Sequence, residues 1–132
     1  MNIEEQVLRI EQVVKLQDLG FDVIKNSSAI VIIKENGPFI VDKEMVEKNI
    51  FGITDKIEDM FYSMTIGDII NIIPTKINEY VLDMNREYIS YDNTKDNLYY
   101  TSRYKFIDNL FDCLVWCIKH KYINLNERFR RT

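Results

Sequence analysis

The chain of 132 residues has a single histidine, His120, and only two cysteines, Cys113 and Cys117. Imidazole acid–base chemistry and thiolate metal binding therefore have one place to be. If residues 105–121 form a helix, the three share a face, because positions i, i+4 and i+7 fall within about 60° of one another. A zinc site wants four ligands, usually drawn from two segments, and one helix offers three here. A Cys–His nucleophile pair is the other chemistry open to them. Both sulfurs fall among Phe106, Leu110 and Leu114, however, and apolar surroundings raise a thiol's pKa and leave it inert. The expectation is two reduced, buried thiols that pack, with no metal and no cofactor, as suits a reducing compartment.

Glycine is scarce as well. Gly20, Gly37, Gly52 and Gly67 stand alone, so no glycine-rich phosphate loop exists, and neither G-x-S-x-G nor H-E-x-x-H occurs. No apolar run approaches the ~20 residues that span a bilayer. The acidic, amphipathic stretch Met1–Arg9 is unlike a secretory signal, and the expected location is the cytoplasm, with no membrane partner.

What the chain does have is enough apolar sequence for one core, 46% hydrophobic residues, in a length that suits a single α+β domain over 1–132. The net charge is −4, unevenly spread. Lys119, Lys121, Arg128, Arg130 and Arg131 oppose a single acid, Glu127, near the end, so the rest of the chain is more acidic than the total shows. Residues 122–132 read as a basic C-terminal tail, with Arg128, Arg130 and Arg131 as a secondary contact. An acidic body makes direct nucleic-acid binding unfavourable.

Ile3, Val7, Ile10 and Val14 recur at helical spacing, with Val13 and Leu16 beside them. Gly20 can end this helix in the left-handed conformation, with Phe21 packing back on Leu16. Strands are predicted at Phe21–Lys25, Ala29–Glu35 and Pro38–Val41. Asn36-Gly37 is a hairpin turn signal, and the doubly apolar Ile30–Ile33 run marks a central strand. Asp42 caps a short helix to about Asn49. Capping-box spacings at Asp55/Glu58 and Thr65/Asp68 start two more helices, the first bearing Ile57, Met60, Phe61 and Met64, the second stopped by Pro74. Strands then follow at Glu79–Met84, Tyr88–Asp92 and Leu98–Thr101, and a last helix from about Lys105 to Lys121. The predicted fold is α+β: two helix–three-strand–helix halves forming antiparallel sheet packed by helices.

Other clusters have plain readings. Asp92-Asn93-Thr94-Lys95-Asp96-Asn97 carries oxygen side chains at calcium-loop positions, but Asn97 replaces the required glycine and Arg103 the closing glutamate. A polar hairpin loop explains it. Asp55, Glu58 and Asp59 balance a helix dipole, and Asp108 and Asp112 form a solvated face. The aromatic group is more suggestive. Tyr88, Tyr91, Tyr99, Tyr100 and Tyr104 crowd the second set of strands, with Arg103 among them. Strand neighbours face opposite sides, so some of these side chains face away from the core. Tyrosine and arginine are enriched at binding hot spots, and these six residues are the candidate partner-binding set.

The segments Ile69-Ile70-Asn71-Ile72-Ile73-Pro74-Thr75-Lys76-Ile77 and Asn109-Leu110-Phe111-Asp112-Cys113-Leu114-Val115-Trp116-Cys117-Ile118 frame a short helix ending in proline, a meander, and a helix with a central tryptophan. This half resembles small uncharacterised phage and mobile-element proteins, a resemblance that brings no activity and no site residues with it. The functional expectation is a non-enzymatic protein-interaction module, such as a phage-type inhibitor of a host defence enzyme. An immunity protein that neutralises a toxin, and a protein that binds or hydrolyses a small nucleotide-like ligand using tyrosine stacking with Arg103 or Arg86, are the alternatives.

Overall fold

The computed structural model describes residues 3–47 and 59–125. Its contacts divide the chain into two compact units, Met1–Asp68 and Ile69–Thr132. The fold is α+β, with antiparallel sheets packed by helices.

In the first unit the expected helix from Ile3 is broken. A 3-10 turn at Ile3–Glu5 gives way at Val7, which forms an antiparallel bridge with Thr65. The Leu8 N–H then donates to the Met64 carbonyl at 3.1 Å. Helix α1 starts only at Ile10 and runs to Asp18. This late start turns its buried face to Val13 and Leu16, leaving Ile10 and Val14 48% and 47% exposed. Its end is as expected. Gly20 has φ 89°, and the Phe21 N–H donates to the Leu16 carbonyl at 3.0 Å and the Gly20 N–H to Gln17 at 2.9 Å, closing the orphan carbonyls of the last turn.

The strand expected at Phe21–Lys25 is helical instead. The Asp22 carboxylate accepts the Lys25 N–H at 3.0 Å and caps α2, Val23–Asn26, a local bond that outweighs the β-propensity of Val23 and Ile24. Strands β1 (Ala29–Lys34) and β2 (Gly37–Asp42) pair antiparallel, with Lys34 opposite Gly37. Gly37 has φ 105° and Asn36 is not in the left-handed region, so the turn uses the glycine alone for its positive φ. Asp42 accepts the Glu44 N–H at 2.9 Å and starts α3, Lys43–Glu47.

The next expected helix meets a correction at Met60 and Phe61. They belong to β3, Met60–Ser63, which pairs with the other edge of β1 and gives the order β2-β1-β3. The Asp55/Glu58 pair lies outside the described residues. β1 is central, as its apolar run predicts. Ile30 and Ile32 pack with Val46 on one face, and Ala29 and Val31 with Val7 on the other. The Thr65/Asp68 capping box is present in full. The Thr65 N–H donates to Asp68 at 3.0 Å, and the Asp68 N–H donates to the Thr65 hydroxyl at 3.1 Å, opening α4, Ile66–Ile70.

In the second unit, β4 (Lys76–Ile77), β5 (Tyr80–Met84), β6 (Ile89–Asp92) and β7 (Asn97–Thr101) form an antiparallel sheet in that order. The two-residue β4 was too short to leave a pattern in the sequence. The Asn85 carboxamide accepts the Glu87 and Tyr88 N–H groups, shaping the tight turn before β6. The Asn93 carboxamide accepts the Lys95 N–H at 2.8 Å and the Asp96 N–H at 2.6 Å, which makes the calcium-like stretch a self-bonded polar loop. Helix α5, Phe106–Lys119, packs on β6 and β7 with Ile107, Leu110, Cys113, Leu114 and Cys117 buried. Lys121, at φ 63°, takes the place that Gly20 has in α1: the Tyr122 N–H reaches the Cys117 carbonyl at 2.9 Å. Ile123 is buried, so packing runs past the point where the basic tail was expected to begin. Arg128, Arg130 and Arg131 lie outside the described residues. Among the described residues, no helix is long and apolar enough to cross a membrane.

Candidate functional site

Cross-strand partners share a face of a sheet, and successive residues alternate. The register of β5, β6 and β7 places Leu82 opposite Tyr91 and Tyr91 opposite Tyr99, while Asp83 lies opposite Ser90 and Ser90 opposite Tyr100. The tyrosines are therefore sorted onto two faces.

One face lies under α5. Tyr91 is fully buried. Its hydroxyl donates to the Pro74 carbonyl at 2.7 Å and stands 3.8 Å from the Cys117 sulfur. Trp116 stacks on Tyr99 at 4.4 Å between ring centroids and on Tyr91 at 5.7 Å. Burial pushes the phenols of Tyr91 and Tyr99 above the ordinary tyrosine range. The hydrogen bond it donates to Cys117, together with burial, pushes the Cys113 thiol far up, and the same bond lowers the Cys117 thiol. Tyr91, Tyr99 and Cys113, held protonated in this way, supply no nucleophile at neutral pH, and Cys117 is fully buried among them. His120 does not join the cysteines. It is exposed at the C-cap of α5, where its ring lies 5.2 Å from that of Trp116 and 6.3 Å from that of Tyr122. The helix ends before its last turn can carry the imidazole onto the buried face.

Arg103 also belongs to the α5 side. Its guanidinium lies 3.3 Å from Asp112, which also accepts from the Thr101 hydroxyl at 3.3 Å. Asp112, expected on a solvated face, is thus half-buried and engaged. The Arg103 N–H donates to the side chain of the buried Asn109 at 2.5 Å, anchoring the turn into α5.

The opposite face is open. Tyr100 is 58% exposed and stacks on Tyr88, with ring centroids 5.5 Å apart and an interplanar angle of 29°. The Tyr88 hydroxyl donates to one oxygen of Asp83 at 2.9 Å. That bond raises the Tyr88 phenol above its ordinary value, so it stays a donor at neutral pH. Beside the pair, the Ser90 hydroxyl donates to one oxygen of Asp92 at 2.5 Å, and the Asn97 amide donates to the other. Val81, opposite Asp92, is exposed. With Glu79, Asp92, Asn93, Thr94 and Lys95 it lines a depression of about 530 Å³. Among the described residues neither Asp83 nor Asp92 has an ion-pair partner.

Of the expected partner set, the structure brings Tyr88 and Tyr100 together on an accessible surface. Tyr91 is buried and cannot meet a partner, Tyr99 is partly covered by Trp116, and Arg103 is tied to α5. Tyr104 is 97% exposed in the loop before α5. Val81, Asp83 and Asp92 complete the open face and were not expected there. The turn at Asn85 was readable, but only the observed register shows which β5 residues it sets beside Tyr88 and Tyr100.

The first unit has an apolar cleft of about 260 Å³ whose lining includes Ile3, Val7, Ile10, Val31, Ile33 and Phe61. Its charged groups, Arg9 and Glu11, face each other at 4.0 Å. Among the described residues no set of three His, Cys, Asp or Glu side chains converges to hold a metal ion. No protein-family model, curated protein or solved structure matches this chain, and the site is read from its own chemistry.

Proposed function

We propose that the chain is a non-enzymatic protein-interaction module whose partner surface is the open face of the second sheet. The observation that carries this reading is the stack of the exposed Tyr100 on the half-buried Tyr88, bracketed by two carboxylates that lack ion-pair partners among the described residues. Stacked tyrosines offer rigid, amphipathic contact area at small entropic cost. Unpaired acids beside them select a basic partner and speed the encounter. The same acids repel a phosphate backbone, so the partner is a protein rather than a nucleic acid. The resemblance of residues 69–77 and 109–118 to small phage proteins gives the reading a more specific form: a phage-type inhibitor acting in the cytoplasm by covering the basic, nucleic-acid-handling surface of a defence enzyme.

The test is a photo-crosslinking residue placed at position 81, exposed on the same face, with a matched one at the exposed Lys15 of α1. A partner protein joined at 81, absent from the Lys15 control and lost when Asp83 is changed to Asn, is the expected result. Equal capture at both positions would mean that the open face is ordinary surface.

A further inference from the structure

We propose that the partner presents an arginine, whose guanidinium lies over the Tyr88–Tyr100 stack and donates to Asp83. The inference rests on the open face being the partner surface and adds the chemistry by which that surface selects. Asp83 is oriented for this. One of its oxygens holds the Tyr88 hydroxyl, which fixes the carboxylate beside the ring. The other has no donor among the described residues. A guanidinium is planar, so it can lie parallel to a tyrosine face and still direct N–H groups at a carboxylate in its own plane. An ammonium is a compact, strongly hydrated point charge and gains less from both.

Asp92 has a different part. Both its oxygens already receive hydrogen bonds, from Ser90 and Asn97, so it supplies negative potential without competing for the guanidinium. The chain's own cations do not fill the position. Arg86, in the adjoining turn, and Lys95, at the rim of the depression, make no ion pair with either acid. Tyr100, 58% exposed, leaves the stack accessible.

The intact chain is titrated with a nona-arginine and a nona-lysine peptide by calorimetry, with amide chemical shifts of residues 81–100 locating the contact. Nona-arginine is expected to bind at least about tenfold more tightly than nona-lysine. Tyr100→Ala and Asp83→Asn are each expected to remove most of that preference while moving the melting temperature by no more than about 5 °C. Asp83→Asn keeps the side-chain shape at an exposed site, so it guards against a folding artefact in the tyrosine variant. Equal affinities for the two peptides, no binding of either, or a preference that survives both substitutions would overturn the arginine assignment. A protein crosslinked at position 81 together with equal peptide affinities leaves the surface standing and removes the arginine. An arginine preference with no protein joined at 81 leaves the chemistry standing and removes the interaction-module reading.

Discussion

Tyr99 and Tyr100 are neighbours in the chain and share a side chain, yet they have opposite roles. Tyr99 turns toward α5 and stacks under Trp116. Tyr100 turns away, stacks on Tyr88 and stays exposed. The same alternation puts Tyr91 under α5 and Ser90, beside it in the chain, on the other face, where its hydroxyl is held by Asp92. A buried tyrosine contributes through its ring area and the hydroxyl bond it must make. An open-face tyrosine contributes little to folding, and its ring remains available to another molecule. The second sheet thus combines a structural face and a recognition face from one residue type, because strand alternation assigns the side and α5 covers only one of them.

The largest effect is expected under the covered face, at Leu114, which is fully buried in α5. Leu114→Ala is expected to lower stability by about 2–5 kcal/mol in a denaturant titration, the usual cost of truncating a buried leucine. A loss below roughly 0.5 kcal/mol, the range of surface changes, would mean that α5 presents a different face to the sheet.

A pH titration tests the helix-covered face through its phenols. Tyr91 and Tyr99 have pKa values raised above 10.0, first through burial. Above pH 10 the unfolded chain gives up these protons while the folded chain keeps them, so the two phenols' contribution to stability should be level below that pH and fall as pH rises beyond it. Each retained proton contributes a slope of up to about 1.4 kcal/mol per pH unit. Urea midpoints from pH 9 to 11 should fall less steeply in Tyr99→Phe than in the parent, and parallel curves would disprove the assignment.

Tyr91→Phe sharpens the same point at neutral pH. It keeps the ring but removes the donor to the Pro74 carbonyl, at an expected cost of about 1–2 kcal/mol. Thermal melting that matches the parent would show that water satisfies that carbonyl equally well. The smallest effect belongs to the open face. Tyr100→Ala should change folding stability by less than about 1 kcal/mol, the scale of a cross-strand pair, while abolishing capture of the partner. A larger loss of stability would make Tyr100 a structural residue like Tyr99.

Much of the fold was legible locally. The reciprocal Thr65–Asp68 cap, the Gly20 terminator, the Asp42 cap, the central β1 and the long α5 all rest on bonds or periodicities within a few residues. The misses have a common cause. The helix expected from Ile3 is interrupted by the bridge of Val7 to Thr65, and Met60 and Phe61 become strand because β1 has a free edge to fill. Both are contacts between distant parts of the chain, which no window of sequence contains. The site divides in the same way. That some tyrosines had to face outward followed from alternation, but the sequence did not say which ones, or that Arg103 would be drawn to Asp112.

By itself, then, the sequence determined the α+β class, the caps and turns, the burial of Cys113 and Cys117, and an aromatic concentration between Tyr88 and Tyr104. These follow from short-range hydrogen bonding and hydrophobic periodicity, which act on neighbouring residues. Only the tertiary structure decided which face α5 covers, and with it which tyrosines are core and which are surface. It also decided that Asp83 and Asp92 stand beside the Tyr88–Tyr100 pair. Those outcomes depend on strand register and helix docking, and both are settled by packing between segments rather than within them.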